Sequence, residues 1–394
     1  MHHWLRSIGI DARLEAIEQK RGVWTLRLFS PNTSFVTFGK GLSYEEACKS
    51  AYGEMCERIM LGNFYEDYFL EDIYPEAILQ DSIDPKLQQW YPIEELELED
   101  LLDFNTDHQK IVSITLQSKK ETLLFPVNLL QNLYASNGMA CHVDKKLAYE
   151  NALAEVIERY VKFEVIKNAI ALPKISHPFN DDNIQIYDAS LYGKYPVMAA
   201  SFIQNDQILL AFGCHIDQER AIQKAYTELI QGLNGRFGKL CEDGEWVADP
   251  ANLERHFIDL TGDVDRRFLQ PADYRPTRWS FESYELFEEP IFFRYVRKRN
   301  LHAFWVIIPT ISEIYPFEDM LYNNKNAGRF YRPHVLNPTQ KSQEVLGEMA
   351  HQELGSLIGV PFTKPLYLSD LNRPKKIHPS YFAIKKSLEL LGTQ

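Results

Sequence analysis

The sequence predicts an α+β fold in which hairpin-loop-helix units repeat and antiparallel sheets pack with helices around a pocket. Three observations predict it. The pattern A-x-x-x-A-x-x-E-x-x-[EQ] occurs three times: at Ala47, Ala51, Glu54 and Glu57; at Ala148, Ala152, Glu155 and Glu158; and at Ala221, Ala225, Glu228 and Gln231. Beside each copy runs a stripe of larger apolar residues: Cys48, Tyr52, Met55 and Ile59; Tyr149, Leu153, Val156 and Tyr160; Ile222, Tyr226, Leu229 and Leu233. That i, i+4, i+7, i+11 spacing marks one face of an amphipathic helix. Each helix is also preceded by two β-rich runs flanking a polar turn, at 23–38, 111–125 and 196–212.

Taken in order, the first strand pair ends at Phe38-Gly39, and Gly39-Lys40-Gly41 leads into the first helix. The segment Glu66 to Asp103 is acidic and punctuated by Pro75, Pro85 and Pro92, which reads as a solvated insertion with short helices. The second pair is followed by a longer lead carrying Ser136-Asn137-Gly138, and the third ends at Phe212-Gly213. Arg294 to Arg299 reads as a charged turn before the apolar strand at 303–308. A helix is expected at about 341–357, then a proline-punctuated stretch and a last short helix. The expected organisation is one unit over 1–335 and a partly helical extension over 336–394.

Composition narrows the classes of function. With 45% apolar and 25% charged residues, 394 residues can bury a large core without staples. The formal charge of −13 excludes a general nucleic-acid binder. Charges interrupt every apolar stretch of the N-terminus, and the run Ala303 to Ile308 is far short of a span, so neither a leader nor a membrane segment is expected. Five cysteines without a C-x-x-C fit reduced thiols in a cytoplasm.

On a helix the first Glu of each copy lies in line with the two alanines, and the second acidic or amide group is one turn further on. One copy alone reflects only that Ala and Glu are good helix formers. Three in one register, each after a hairpin, also fit a shared surface. Converging carboxylates raise one another's pKa and call for a cation. All-oxygen ligands suit magnesium, which characteristically pairs a few carboxylates with phosphate oxygens. Arg58 and Arg159 follow the second Glu in the first two copies and offer a fork for phosphate, or a salt bridge to the acidic row. Lys40 between glycines can approach phosphate, although no G-x-x-x-x-G-K-[ST] is present. Ser50 can reach a phosphate or nucleoside hydroxyl, or bond its own helix backbone. Cys141-His142 and Cys214-His215 invite zinc, but adjacent ligands rarely point the same way, which favours loop packing.

The stretches GKGLSYEEACKSAYGEMCERI, NLYASNGMACHVDKKLAYENALAEVIERYVK, FGCHIDQERAIQKAYTELIQG and ISEIYPFEDMLYNNKNAG resemble the YcaO superfamily over roughly residues 35–330. The resemblance is greatest to the branch of accessory factors for methylthiolation of a ribosomal small-subunit protein. It implies a nucleotide pocket, with ATP and magnesium as cofactors, and phosphorylation of a backbone amide oxygen of a peptide or protein. By motif, it places Glu54, Glu57, Glu155 and Glu158 at metal positions, and Lys40, Ser50, Glu54, Asn137, Arg159, Glu228 and Gln231 at ATP positions. No side-chain nucleophile of the protein is assigned. The implied partners are a protein or peptide substrate, a partner enzyme or sulfur-delivery protein, and a second copy in a homodimer. Ribosomal peptide cyclodehydration or thioamidation is the second reading. The ending Leu-Leu-Gly-Thr-Gln lacks the proline-rich tail of many azoline-forming relatives and counts against it. A non-catalytic ATP-binding adaptor is the third.

Overall fold

The computed structural model describes residues 1–31, 35–63, 76–91, 111–168, 170–204, 207–240, 257–259, 267–268 and 287–314. The expected helix at 341–357 and the extension over 336–394 lie outside them, as does Cys241.

The chain opens with a short helix α1 (His2–Ser7) and three antiparallel strands, β1 (Arg13–Lys20), β2 (Val23–Phe29) and β3 (Val36–Gly41). The expected first hairpin is therefore the inner pair of a three-stranded sheet. Strand β1 escaped the sequence reading because its alternation is mostly polar on both faces. The first repeat helix is α2 (Tyr44–Leu61). After it come β4 (Ile78–Gln80), β5 (Ile111–Gln117), β6 (Thr122–Pro126) and β7 (Met139–His142). The second repeat helix is α3 (Lys145–Lys167). It is followed by β8 (Ile170–Ala171), β9 (Lys174–Ile175), β10 (Ile184–Asp188), β11 (Val197–Gln204) and β12 (Gln207–Cys214). The third repeat helix, α4 (Gln218–Leu240), leads to β13 (Phe257–Asp259), β14 (Arg267–Phe268), β15 (Phe292–Lys298) and β16 (Leu301–Ile307).

Among the described residues the sheets have three strands (β1-β2-β3), five (β13-β12-β11-β10-β9) and six (β4-β5-β15-β16-β7, with β6 on β5), beside a small parallel pair β14-β8. Helices and sheets alternate in rotation. Helix α2 packs between the three- and six-stranded sheets, α3 between the six- and five-stranded sheets, and α4 between the five-stranded sheet and the first. Strand alternation makes this possible, because neighbouring residues serve opposite cores. Ala303, Trp305 and Ile307 of β16 join the core with α2, while Phe304 and Val306 join the core with α3. Leu210 and Phe212 of β12 likewise face α3, and Leu209 and Ala211 face α4.

Close helix-to-strand approach explains the alanine pairs. Ala47, Ala51, Ala148, Ala152, Ala221 and Ala225 are all fully buried. A Cβ added to Gly39 would lie 2.0 Å from Ala47 O, and one on Gly213 would lie 2.2 Å from Ala221 O. The small strip is thus the contact itself and not merely a margin of the apolar stripe.

Several expectations need correction. Residues 111–117 and 122–126 do form a hairpin, but the strand that feeds α3 is β7, paired antiparallel with the distant β16. The counterpart of Phe38-Gly39 and Phe212-Gly213 is therefore Met139-Ala140 and not the Ser136-Asn137-Gly138 lead. Long-range pairing of this kind leaves no trace in local periodicity. The described part of the acidic insertion is not all solvated. Leu87 and Tyr91 are buried, and Tyr91 OH donates to Glu313 Oε1 at 2.5 Å. Glu313 Oε1 also accepts from Tyr134 OH at 2.9 Å and from Thr310 N–H at 2.8 Å. Nor is the basic run a turn: Arg294 to Lys298 form most of β15, with the reversal at Arg299. Arg294 is buried, donating to Glu76 Oε1 at 2.8 Å and to Leu61 O at 3.0 Å.

Candidate functional site

Each repeat helix begins at a side-chain cap in the same register. Ser43 Oγ accepts from Glu46 N–H, and Glu46 reaches back to the Ser43 N–H, closing a capping box. Asp144 accepts from Leu147 N–H at 3.0 Å and Asp217 from Arg220 N–H at 2.9 Å. The cap fixes the phase of each helix, and so the direction in which its glutamates point. The two histidines brace these caps. His142 Nδ1 accepts from Asp144 N–H and His215 Nδ1 from Asp217 N–H, each at 2.9 Å. Cys141 and Cys214 are buried, and burial pushes both thiols up. These pairs therefore pack the loops, and no zinc site is formed there.

The acids of the first two helices share one electrostatic cleft. Burial pushes the Glu57 carboxyl well above the usual carboxylate range; Arg58 beside it opposes the rise, and Glu155 and Glu54 add to it. Burial also raises Glu155, against the pull of Arg159 and Arg58 and with a push from Glu158 and Glu54. Arg58 stands 3.4 Å from Glu57 Oε1 and 3.5 Å from Glu54 Oε1, and Arg159 is 3.5 Å from Glu155 Oε1. These are the salt bridges to the acidic row that the E-x-x-E-R pattern allowed.

The third unit joins through Lys40 and Glu228, which form an ion pair between β3 and α4. Burial lowers the Lys40 pKa, while Glu158, Glu54 and Glu155 hold its charge on. Glu158 reaches across to accept from Cys214 N–H at 3.0 Å, and Lys224 Nζ donates to Cys214 O at 3.1 Å. Glu54 Oε2 lies 3.4 Å from Phe38 N–H. The cleft therefore brings together Lys40, Glu54, Glu57, Arg58, Glu155, Glu158, Arg159 and Glu228. Ser50 and Gln231 are half-buried, one turn before Glu54 and nearly one turn after Glu228. Asn137 is 1% exposed, and its Nδ2 donates to Ser312 O at 2.8 Å. Sequence reasoning missed Lys224 and the Cys214 amide. Lys224 could have been found one turn before Glu228, but nothing local signals a backbone donor on another unit.

The donor set is all oxygen, which suits a hard divalent cation. Among the described residues no three His, Cys, Asp or Glu side chains lie close enough to hold an ion as they now stand. The arginines explain this, since they already occupy faces of the same carboxylates. Glu57, 12% exposed, and Glu155, 28% exposed, sit among like charges at a cost that a bound cation would relieve. The residues thus fit magnesium once the side chains turn from their arginines.

A carboxyl that holds its proton more tightly in the folded chain than in the unfolded one costs little at acid pH. It destabilises increasingly as pH rises through its raised pKa. Glu57→Gln is therefore expected to leave the melting temperature nearly unchanged at about pH 4.5 and to raise it at about pH 8. Equal shifts at both pH values would contradict the raised carboxyl.

The α+β arrangement of helices and sheets thus brings carboxylates from two repeat helices together with Lys and Arg, a donor set of the kind that phosphate and a hard cation share. The chain belongs to the YcaO family, described as YcaO cyclodehydratase, ATP- and Mg2+-binding, whose profile matches residues 38–290. It is 29% identical to the ribosomal protein S12 methylthiotransferase accessory factor YcaO of Escherichia coli, over 80% of this chain and 64% of that protein. It is 30% identical to an uncharacterized protein of Haemophilus influenzae, over 80% of this chain and 65% of that one. The chain thus spans just under two thirds of either relative. The structure of YcaO from Methanopyrus kandleri bound with AMPPCP and Mg2+ has the same fold, with a TM-score of 0.51 and 15% identity over 79% of this chain and 88% of that one. Among the described residues no helix is long and apolar enough to cross a membrane.

Proposed function

We propose that this chain is an ATP- and magnesium-dependent enzyme that phosphorylates a backbone amide oxygen of a protein or peptide, as an accessory factor for methylthiolation of a small-subunit ribosomal protein. The observation that carries the reading is the meeting of Glu54, Glu57, Glu155 and Glu158 from two helices with Lys40 and Glu228 from the first and third units. The name of the Escherichia coli relative supports the accessory role. In this reading residues 1–335 form the ATP-binding unit and 336–394 an extension.

An amide oxygen is a poor leaving group, and making it a phosphate ester is chiefly a matter of position and charge. Magnesium, when bound, neutralises phosphate charge. Glu54, Glu57, Glu155 and Glu158 would hold it. Lys40, Arg58 and Arg159 would supply positive charge where negative charge builds on the transferred group. Glu228 keeps Lys40 in place from the opposite helix. Ser50, Asn137 and Gln231 belong to the proposed nucleotide set by motif, Asn137 through the loop it anchors.

The family's description as cyclodehydratases favours a second reading, modification of a ribosomally made peptide by cyclodehydration or thioamidation. Single-turnover phosphate release separates these readings. Stimulation by ribosomal protein S12 is expected. Stimulation only by a precursor peptide would move the assignment to the second reading, and ATP binding with no stimulated turnover would make the protein a nucleotide-binding adaptor.

A further inference from the structure

We infer that Asn63 sets how tightly Arg58 grips Glu54 and Glu57, and thereby how readily a divalent cation takes those two carboxylates. The inference rests on the reading that these acids are metal ligands. Helix α2 ends in a left-handed turn at Gly62, with φ 77°. Gly62 N–H donates to Ile59 O at 3.4 Å and Asn63 N–H to Arg58 O at 2.8 Å. This paired closure folds the residue after the glycine back over the last helical turn.

The side chain of Asn63 then acts in two directions. Its Oδ1 accepts from Arg58 Nη1 at 3.4 Å, and its Nδ2 donates to Ala135 O at 3.1 Å. Ala135 has φ 47°, a left-handed backbone that alanine seldom adopts, so this acceptor sits on a constrained turn. Asn63 therefore has little freedom to follow Arg58. The same Nη1 is 3.4 Å from Glu57 Oε1 and 3.9 Å from Met139 Sδ, while Nη2 is 3.5 Å from Glu54 Oε1. One guanidinium is thus divided, at nearly equal reach, between two acids and a neutral amide.

An arginine fork has fixed geometry, so hydrogen bonds given to Asn63 are not available to the acids. Without the amide oxygen the fork would settle on Glu54 and Glu57 and compete harder with a cation. With a carboxylate in its place, the fork would be drawn off them. Asn63 is in this sense a positioning residue, acting through Arg58.

The test is calorimetric titration of Mg2+ into the full chain with saturating AMPPCP. Asn63→Ala is expected to weaken Mg2+ binding by about threefold, and Asn63→Asp to strengthen it by a similar factor. Both effects should vanish when Arg58→Met is also present, and circular dichroism melts should show all variants folded. A residue that merely supported the turn would shift both variants the same way. Shifts of one sign, no shift in either, or shifts that persist with Arg58→Met would overturn the inference. Absence of Mg2+-dependent AMPPCP binding in the unsubstituted chain would overturn the carboxylate reading and this inference with it.

Discussion

Glu155→Ala is expected to abolish Mg2+-dependent ATP affinity, lowering it by about 100-fold or more, while the fold survives. Glu155 pairs with Arg159 at 3.5 Å, and besides burial the charges of Arg159, Arg58, Glu158 and Glu54 act on it, so acids and arginines of both the first and the second helix lie near it. Removing it leaves any cation without an oxygen between those rows. The fold is spared because Glu155 is partly exposed, and its loss relieves repulsion within a crowded set of like charges. Arg159, 26% exposed, can turn to water. Glu54→Ala should behave in the same way, since Glu54 touches both Arg58 and the Phe38 amide. Calorimetric titration with ATP and Mg2+ decides the matter, and unchanged binding in either variant would reject the placement of the site. Resistance of the variants to thermal unfolding should match or exceed that of the parent, the usual opposition between stability and a charged functional cleft.

A single methyl group at Gly39 is expected to do the opposite, damaging the fold before the chemistry. Its Cβ would fall 2.0 Å from Ala47 O and 2.6 Å from Ala51 N, both backbone atoms of α2 that no side-chain rotation can clear. Gly39→Ala should therefore destabilise by about 3 kcal/mol or more. Gly213→Ala faces Ala221 O at 2.2 Å and Ala225 N at 2.5 Å and should cost nearly as much. Gly53 provides the control. It lies inside α2 next to Glu54, and the nearest atom to an added Cβ is Cys141 O at 3.9 Å. Gly53→Ala should stabilise by about 0.5–1 kcal/mol through helix propensity and reduced freedom of the unfolded chain. Urea melts of the three variants test this, and a neutral Gly39→Ala would show that α2 does not seat on β3 as described.

The legibility of the structure in the sequence follows from the range of the interactions. The three helices, their apolar stripes and their glutamate rows were readable because each is set by residues within a few turns of one another. The α+β class followed from the same patterns. The pairing of β7 with β16 was not readable, because its partners lie far apart in the chain and only the finished sheet brings them together. Strand β1 was hidden by its polar character, and Tyr91 gave no sign that it would dock on Tyr134 and Glu313. The glutamate rows were legible from register, and Lys40 stood out only by the glycines that flank it. Asn63 was not legible, since its role depends on a C-terminal turn that aims it at Arg58 and on a carbonyl from another segment.

The rotation of sheets and helices also has a consequence for biosynthesis. Helix α3 is held on one side by β7, and among the described residues β7 has no strand partner until β16 has been made. A ribosome would thus release all four glutamates proposed as metal ligands long before the strand that seats the second pair of them. Nucleotide capture should therefore come late, after residue 307 has left the exit tunnel, and a nascent chain halted after α4 would hold every acid of the cleft without being able to use them.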